Sequence, residues 1–376
     1  MSIHNQRGIL ISNMFYYFMT QTDDILEKYT ELNKHFEKTL VFHLGIDAGF
    51  FSEYNYMISM ILYCLENKVK FKLYSADANF SYDKGWTDFF QPFCEEVNEN
   101  FHSYCNRHPD YTSWKSVWKK LLYEKDLSLL LWKIKSKFFF IIAHTRCFFN
   151  KKRKFDYYTF DLFDKIGKLN RVYNIPELGI KGDYIQAYNR IFDLTWRLNS
   201  VVNSNIDNLI EGLDLPESFI ACQIRGGDKS IEYNLLPIEL YIEEIKKISI
   251  LRDVFVLTDD FRIISQLREL APEYCWYTLC QEKEMGYYNS TFAKTEPEVK
   301  REQMVRFFAS IRIMESATVF LGTITATPSI VIGTRKYPDG YWVDFDKDWF
   351  LSTIDLTIAE KRALSEKYLS NNSRTN

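Results

Sequence analysis

A short stretch with fixed positive charge follows an apolar segment in the middle of the chain. Residues 218–229 read Ser-Phe-Ile-Ala-Cys-Gln-Ile-Arg-Gly-Gly-Asp-Lys, where Phe219 to Ile224 predicts a buried strand and the two glycines predict a turn. The turn carries Arg225, Asp228 and Lys229. The guanidinium of Arg225 keeps its charge and offers a planar fork of donors, which suits a diphosphate bound where a parallel strand ends. A surface turn of solvated charges is the alternative interpretation.

Two later strand-to-helix turns in the same half also carry polar side chains. The predicted strand of residues 252–260 ends in Asp259 and Asp260, whose carboxylates suit ribose hydroxyls or base donors. Residues 323–329 read Thr-Ile-Thr-Ala-Thr-Pro-Ser and open a helix, so backbone N–H groups and threonine hydroxyls form a phosphate site. The candidate binding residues of the three turns are Gln223, Gly226, Asp228, Lys229, Thr258, Asp259, Asp260, Thr323, Thr325, Ala326 and Thr327. Together they fit a nucleoside diphosphate, although the sequence has neither a P-loop nor a Gly-x-Gly-x-x-Gly motif.

The N-terminal half opens on a β-loop-α-β pattern. Thr39 to Leu44 predicts a strand, a glycine loop follows, Tyr54 to Glu66 predicts a helix, and Lys70 to Tyr74 predicts a second strand. The loop ends in Glu53, a candidate catalytic acid or base. An acid in the first turn that complements the helix dipole is the alternative for Glu53.

Length and composition indicate two domains and a local site. A chain of 376 residues exceeds the size of a single core, so we expect an N-terminal α/β domain over 1–212 and a nucleotide-binding domain over 213–376. With 47 basic and 50 acidic residues, nothing global favours nucleic acid. Seven scattered cysteines without Cys-x-x-Cys spacing indicate a reducing compartment and no zinc site. All six histidines precede residue 145, so the C-terminal half has no histidine base.

Two aromatic stretches leave alternatives open. The aromatic residues between Trp86 and Trp118 suit either a core or stacking on sugar rings. Residues 127–154 place large apolar side chains beside the basic run Asn150-Lys-Lys-Arg-Lys, which suits a peripheral membrane contact. The alternative is an amphipathic helix, a buried strand from Phe138 to Ile142 and a solvated basic turn. The N-terminal residues lack a signal-peptide pattern, and no run in the sequence reaches the ~18 apolar residues of a membrane span. We therefore expect a cytoplasmic protein, peripheral at the inner face of a membrane if this contact forms.

Four of these stretches resemble one enzyme family. Gln-Ile-Arg-Gly-Gly-Asp-Lys at 223–229, followed by Glu232 and Pro237-Ile-Glu-Leu-Tyr, resembles the first motif of the α1,6-fucosyltransferases, the nodulation fucosyltransferases and the protein O-fucosyltransferases. Residues 256–260 are similar to their second motif, residues 317–326 to their third, and residues 49–53 to their N-terminal glycine loop. The four motifs stand in the order that the family shows.

The resemblance implies an α/β fold of the GT-B type, with two Rossmann-like domains facing a cleft and a largely helical insertion between them. It implies an inverting, metal-independent enzyme that transfers fucose from GDP-fucose to a glycan acceptor and needs no cofactor. Arg225 would hold the β-phosphate, Asp259 and Asp260 the nucleoside, and Thr323, Thr325 and Ala326 the phosphates.

The mechanism that the resemblance implies needs a base for the acceptor hydroxyl and cations for the departing diphosphate. Glu232 is the first candidate for the base because it lies three residues past Lys229, and Glu53 is the second because some relatives carry an acid in the glycine loop. Three positions depart from the family pattern. Gln223 occupies the position of a histidine, and Gly226 occupies that of a second arginine. Ser310 lies near the position at which many members have an aspartate that reads the base. These departures leave two alternatives: another nucleotide sugar as donor, or a protein that binds a nucleotide sugar without turnover.

Overall fold

The computed structural model describes residues 24–45, 49–102, 155–162, 172–227, 235–353, 356 and 358–372, together with single residues between 118 and 149. The described residues divide into two compact units. The N-terminal unit takes those within 1–46, 56–78 and 92–167, and the C-terminal unit takes those within 47–55, 79–91 and 168–376. The boundary predicted near residue 212 lies inside the C-terminal unit, and as a division into separately folding domains it stays a prediction.

A four-stranded parallel sheet forms the centre of the N-terminal unit. Its strands are β1 (Lys38–His43), β2 (Val69–Tyr74), β3 (Glu95–Glu96) and β4 (Tyr157–Tyr158), in the order β3-β2-β1-β4. Its helices include α1 (residues 24–35) and α3 (Thr159–Leu162). The Asn33 side chain ties α1 to β2, because its amide donates to the Phe71 carbonyl and its oxygen accepts from the Phe71 N–H. The central strands of a parallel sheet are buried and therefore rich in apolar residues, and this apolar character made β1 and β2 predictable from the sequence.

The helix α2 (Phe50–Asn67) connects β1 to β2 and confirms the predicted β-loop-α-β pattern. It begins four residues before the predicted start at Tyr54, because the Gly49 carbonyl already accepts from the N–H groups of Ser52 and Glu53. Its first residues, up to Asn55, belong to the C-terminal unit, and the remainder belongs to the N-terminal unit. Glu53 is therefore a residue of the C-terminal unit.

A five-stranded parallel sheet forms the centre of the C-terminal unit. Its strands are β7 (Ile220–Gln223), β8 (Asp253–Leu257), β9 (Cys275–Tyr277), β10 (Val319–Gly322) and β11 (Gly340–Trp342). Its helices include α4 (Tyr184–Thr195), α5 (Ser200–Glu211), α6 (Ile238–Ile248), α7 (Phe261–Leu270), α8 (Asn289–Phe292), α9 (Pro297–Ser316), α10 (Thr327–Lys336) and α11 (Ile358–Asn372). Short 3-10 helices cover Trp86–Asp88, Pro176–Leu178 and Lys347–Thr353. The α/β fold class, with a parallel sheet in each unit, is confirmed.

The order of the strands in this sheet, β11-β10-β7-β8-β9, creates a switch point. The chain moves outward from β7 through β8 to β9, then returns to the other side of β7 with β10 and moves outward again to β11. In open α/β sheets the crevice outside the carboxyl ends of two such central strands is where ligands bind. The turns after β7 and β10 therefore stand side by side at the expected binding edge.

Two apolar clusters support this sheet. The first packs β7 and β8 against α6 and α7, with Ile220, Val254, Ile264 and Leu267 fully buried. The second is aromatic and includes Phe50, Phe51, Tyr54, Trp86, Phe90, Phe192, Trp196 and Phe308. Trp86 and Phe90 stack at 4.1 Å inside it, so these two aromatic residues are core, as one of the two interpretations of their stretch predicted.

One part of the alternative interpretation of residues 127–154 was wrong. The strand predicted from Phe138 to Ile142 is absent, because Phe138, Ile141 and Ile142 are helical. Their β-branched and aromatic character favours a strand, but the apolar spacing of three and four residues that precedes them continues through the segment and favours a helix. The short strands β5 (Tyr173–Ile175) and β6 (Ile180–Gly182) form an antiparallel pair in the C-terminal unit, and Gly179 turns the chain between them at a φ of 69°.

Candidate functional site

Three polar turns lie at the carboxyl ends of neighbouring strands in the C-terminal unit. Arg225 follows β7, Asp259 follows β8, and Thr323 follows β10. Strand β7 pairs with β8 on one side and with β10 on the other. The sheet therefore brings together the three turns that the sequence singled out, and Arg225 stands in the middle one.

Arg225 is held on two sides. Its Nη1 lies 3.3 Å from Asp259 Oδ2, and its guanidinium carbon lies 5.7 Å from the centre of the Tyr287 ring. The side chain keeps 22% of its surface exposed, so a solvent-borne anion can reach it. A cation stacked on an aromatic ring and paired on one edge is restricted to a narrow set of orientations, as a phosphate-binding arginine needs to be.

Asp259 joins two loops, which the sequence did not predict. Its Oδ1 accepts from the Gly226 N–H at 2.7 Å, and its Oδ2 accepts from the Tyr287 N–H at 3.0 Å. With Arg225 as a third partner, both carboxylate oxygens serve the turn after β7 and the loop after β9. The structure thus gives Asp259 a positioning role, and its contact with a nucleoside stays a prediction.

Asp260 caps a helix. Its Oδ1 accepts from the Arg262 N–H at 3.0 Å at the start of α7, and both of its oxygens accept from the Arg262 guanidinium. These hydrogen bonds lower the pKa of Asp260, so it is a carboxylate at neutral pH. Thr258 supports the same corner, because its hydroxyl accepts from the Asp260 N–H at 3.2 Å. Adjacent side chains on an extended segment point apart, and Asp259 and Asp260 accordingly have separate partners.

The motif glycines allow a contact between two backbones. A Cβ on Gly227, where φ is +56°, would lie 2.5 Å from both the N and the O of Tyr287. A Cβ on Gly226 would lie 2.9 Å from the Asp260 Cβ, and one on Gly286 would lie 2.5 Å from the Gly227 Cα. Glycine at these positions is therefore required by the close approach of the turn after β7 to the loop after β9.

Buried polar side chains hold the turn after β10 by hydrogen bonds. The Ser329 hydroxyl donates to Gln223 Oε1 and accepts from the Thr323 N–H at 3.3 Å. Gln223 is buried at the end of β7, so it supports the turn from within the unit. The family's histidine position is therefore occupied here by a residue that links β7 to the start of α10.

Asp344 is a second support for this turn, and sequence reasoning missed it. It is fully buried, its Oδ1 accepts from the Ile324 N–H at 3.0 Å, and its Oδ2 accepts from the Ser365 hydroxyl at 3.1 Å. Burial raises the pKa of Asp344 to about 6, against the opposing effect of the two hydrogen bonds. The signal available in the sequence was an acid directly after the apolar strand β11, in Trp-Val-Asp.

The N-terminus of α10 carries no side-chain cap. Its N-cap residue is Ala326, and Pro328 occupies the first turn. Thr323, Thr325 and Ala326 are buried, whereas Thr327 is half-buried. A helix start without a capping side chain leaves backbone N–H groups for an anion, and the helix dipole favours negative charge there.

Glu53 lies in the first turn of α2 and is only 4% exposed. It lines a small cavity of about 20 Å³ together with Phe50, Tyr287 and Met304. Tyr287 thus contacts both this cavity and the Arg225 guanidinium. Tyr287 lies in the loop after β9, which no motif included; the local signal in the sequence was the preceding Gly286, which has a φ of +107° in the structure.

Three predicted site residues lie outside the described residues. They are Asp228, Lys229 and Glu232. The choice between Glu232 and Glu53 as base therefore stays a prediction.

A separate cavity of about 340 Å³ lies in the N-terminal unit. It is lined by Asn33, Lys34, Lys70 and Cys94, among others, and no motif residue takes part. Asn33 already holds α1 to β2, so one polar group of this cavity has a structural partner.

Within the described part of the chain, no three His, Cys, Asp or Glu side chains stand close enough to share a metal ion. In that same part, no helix combines the length and apolar character needed to span a bilayer.

Solved structures similar to this chain include several fucosyltransferases. The fucosyltransferase NodZ from Bradyrhizobium is 12% identical, with 78% of this chain and 91% of that chain covered and a TM-score of 0.42. POFUT1 in complex with GDP-fucose is 12% identical, with 81% and 97% covered and a TM-score of 0.43. FUT1 of Arabidopsis thaliana in complex with GDP is 10% identical, with 85% and 77% covered and a TM-score of 0.42.

NodZ is an α1,6-fucosyltransferase, one of the groups that the motifs resemble. No protein-family model matches the chain, and no curated protein matches its sequence.

Proposed function

We propose that the protein is an inverting glycosyltransferase that transfers fucose from GDP-fucose to a hydroxyl group of a glycan acceptor. The observation that carries the proposal is that Arg225 follows β7 and the uncapped start of α10 follows β10, two paired strands at the switch point of a parallel sheet. A fixed cation and the backbone N–H groups of a helix start at that edge suit a diphosphate, although Pro328 contributes no N–H. The motif resemblance supplies guanosine and fucose as the parts of the donor.

In this proposal the two groups stabilise the leaving group. Negative charge gathers on the departing diphosphate in the transition state, where Arg225 and the α10 N–H groups meet it without rearrangement. Asp259 and Tyr287 hold the guanidinium in place, and Gln223, Ser329 and Asp344 hold the α10 turn. No metal takes part, and transfer persists in EDTA.

The base removes the proton of the acceptor hydroxyl on the opposite face of the sugar. Glu53 is supported by its buried position in a cavity that shares Tyr287 with the Arg225 site. Glu232 is supported by its place in the sequence, seven residues after Arg225. Both remain candidates.

A second candidate function is binding of a nucleotide sugar without transfer. The ion pair between Arg225 and Asp259 favours it, because that carboxylate already compensates part of the charge that a diphosphate would use. Retained donor binding without release of GDP would support this second function.

A thermal-shift series with GDP, GDP-fucose, UDP and ADP tests the donor, followed by an assay of GDP release from GDP-fucose. A ligand at 100 times its Kd stabilises the folded protein by about 2.7 kcal/mol, so a specific nucleotide stands out clearly. We expect GDP and GDP-fucose to raise the unfolding temperature more than UDP or ADP, and GDP to be released. Stabilisation by UDP with none by GDP would contradict the donor assignment.

A further inference from the structure

Seven large apolar side chains between residues 127 and 149 project into solvent. They are Leu127, Leu131, Ile134, Phe138, Ile141, Phe148 and Phe149, and their exposed fractions lie between 54% and 65%. We call these seven residues the exposed apolar face. Seven exposed large apolar side chains within 23 residues favour a binding surface, whereas single exposed residues such as Ile250 are ordinary.

The spacing of these residues gives the face its geometry. Every described residue between 128 and 149 is helical. Successive members from Leu127 to Ile141 are four, three, four and three residues apart, which is the spacing at which helical side chains share one side. The exposed apolar face therefore has the spacing of the apolar side of an amphipathic helix.

Positive charge accompanies the apolar face. Residues 118–154 contain eleven lysines and arginines against two acids, Glu124 and Asp126, a net charge of +9 in a chain whose total is −3. Lys135 and Lys137 are exposed within the helical residues, and the run Lys-Lys-Arg-Lys at 151–154 follows in the sequence. The remainder of the chain is acidic by comparison, so the cationic character belongs to this segment.

The positive charge of residues 118–154 indicates which kind of partner the exposed apolar face can bind. A second copy of the same face would bring a like charge of +9 to the contact, and both acids of the segment precede the apolar face. A nucleic acid would satisfy the cations but offer little apolar depth for leucine, isoleucine and phenylalanine. An anionic bilayer surface satisfies both, because acyl chains take the apolar side chains while headgroups pair with lysine and arginine.

We propose that the exposed apolar face binds an anionic membrane surface, lying in the plane of the bilayer. This inference goes beyond the proposed transferase function and does not depend on it. Its test needs no donor, acceptor or activity.

The experiment is co-sedimentation of the full chain with vesicles. One set contains phosphatidylcholine alone, and the other contains about a third phosphatidylglycerol to supply negative surface charge. We expect binding to the anionic vesicles and little to the neutral ones. Raising the salt from about 0.1 M to about 1 M shortens the screening length from about 10 Å to about 3 Å and should weaken binding several-fold.

Paired variants separate the apolar contribution from the charge contribution. Leu131→Ser with Phe138→Ser should weaken anionic-vesicle binding by about tenfold or more, because two large apolar groups no longer enter the bilayer. Val172→Ser with Ile250→Ser, which changes exposed apolar residues elsewhere, should leave binding unchanged. Lys135→Glu with Lys137→Glu should weaken it by about tenfold or more, whereas Lys181→Glu with Lys283→Glu makes the same change in net charge and should have little effect.

Several results would overturn the proposal. These are no binding of the wild-type chain to anionic vesicles, equal binding to both vesicle types, or equal loss in a variant and its control. Self-association of the wild-type chain without vesicle binding, abolished by Leu131→Ser with Phe138→Ser, would assign the face to a second copy instead. Should the apolar variant fail to fold, the wild-type lipid and salt series and the lysine pairs still decide the question.

Discussion

Arg225 Nη1 lies 3.3 Å from Asp259 Oδ2, and the same carboxylate accepts hydrogen bonds from the backbones of Gly226 and Tyr287. The cation of the first motif is therefore positioned by the acid of the second. Because Tyr287 also lies beneath the guanidinium, one carboxylate fixes both the charge and the ring on which it rests.

Asp259→Asn tests this positioning role. The NH2 group that replaces one carboxylate oxygen cannot accept a hydrogen bond, so at least one of the three donors loses its partner, and we expect the free energy of unfolding to fall by about 1–3 kcal/mol. Glu273→Gln is the control: it breaks a solvent-exposed ion pair with Lys246 and should leave stability in urea unfolding close to that of the wild type. Unchanged stability of Asp259→Asn together with loss of GDP binding would show that Asp259 reads the nucleoside instead.

Gly227→Ala tests the contact between the two loops. The added Cβ would meet the Tyr287 backbone at 2.5 Å where φ is +56°, so the loops must separate. We expect destabilisation of about 1–3 kcal/mol with weaker GDP binding. Gly212→Ala is the matched control, because φ there is −67° and a Cβ would make only ordinary contacts. Equal stability of the two variants would contradict the packing described.

The sequence predicts a helix accurately where it contains both a capping residue and apolar residues at helical spacing. The helix α7 from Phe261 to Leu270 is an example. Asp260 is a strong N-cap residue, and apolar residues recur at helical spacing behind it, so the sequence itself specifies where the helix begins. The strand assigned to Phe138 to Ile142 was wrong because a short apolar run fits both periods.

The partners within the site could not be predicted. The contact between Asp259 and Tyr287 joins positions 28 residues apart, with the helix α7 and the strand β9 between them in the sequence. The order of parallel strands, which sets β10 beside β7, is not encoded in any single strand, since each is simply apolar. Asp344 appeared in no motif because its role follows from complete burial, which only the fold creates.

Asp344 predicts a dependence of stability on pH. Its pKa is raised from an ordinary 3.8 to about 6, so the folded state keeps a proton that the unfolded state has already lost between these values. The contribution to stability is full below pH 3.8 and is lost as pH rises through 6, a change of about 3 kcal/mol at 1.36 kcal/mol per unit. Asp344→Asn should remove this dependence in urea titrations between these limits, whereas Asp346→Asn, at an exposed acid nearby, should keep it. A wild-type curve parallel to that of Asp344→Asn would contradict the assignment.

Glu53→Gln and Glu232→Gln identify the base by direct comparison. General-base catalysis contributes about 10²- to 10⁴-fold, so the variant that lacks the base should lose that much kcat while its GDP affinity stays near wild type. The other variant serves as the control for a change of charge. Steady-state transfer and GDP titration measure the two quantities, and near-normal kcat in both variants would assign the base to a third residue.

The most direct test of the transferase proposal is the turnover of Arg225→Lys. Lysine keeps the charge but loses the planar fork, and the contact gains strength as the diphosphate leaves, so kcat should fall by about 10²- to 10³-fold and donor affinity should fall with it. Arg252→Lys is the control: Arg252 also rests on a tyrosine ring, 4.9 Å from the centre of Tyr274, but takes no part in the three turns. We expect near-wild-type kcat for Arg252→Lys. A folded Arg225→Lys protein with wild-type kcat and donor affinity would contradict phosphate binding by Arg225, and with it the glycosyltransferase assignment.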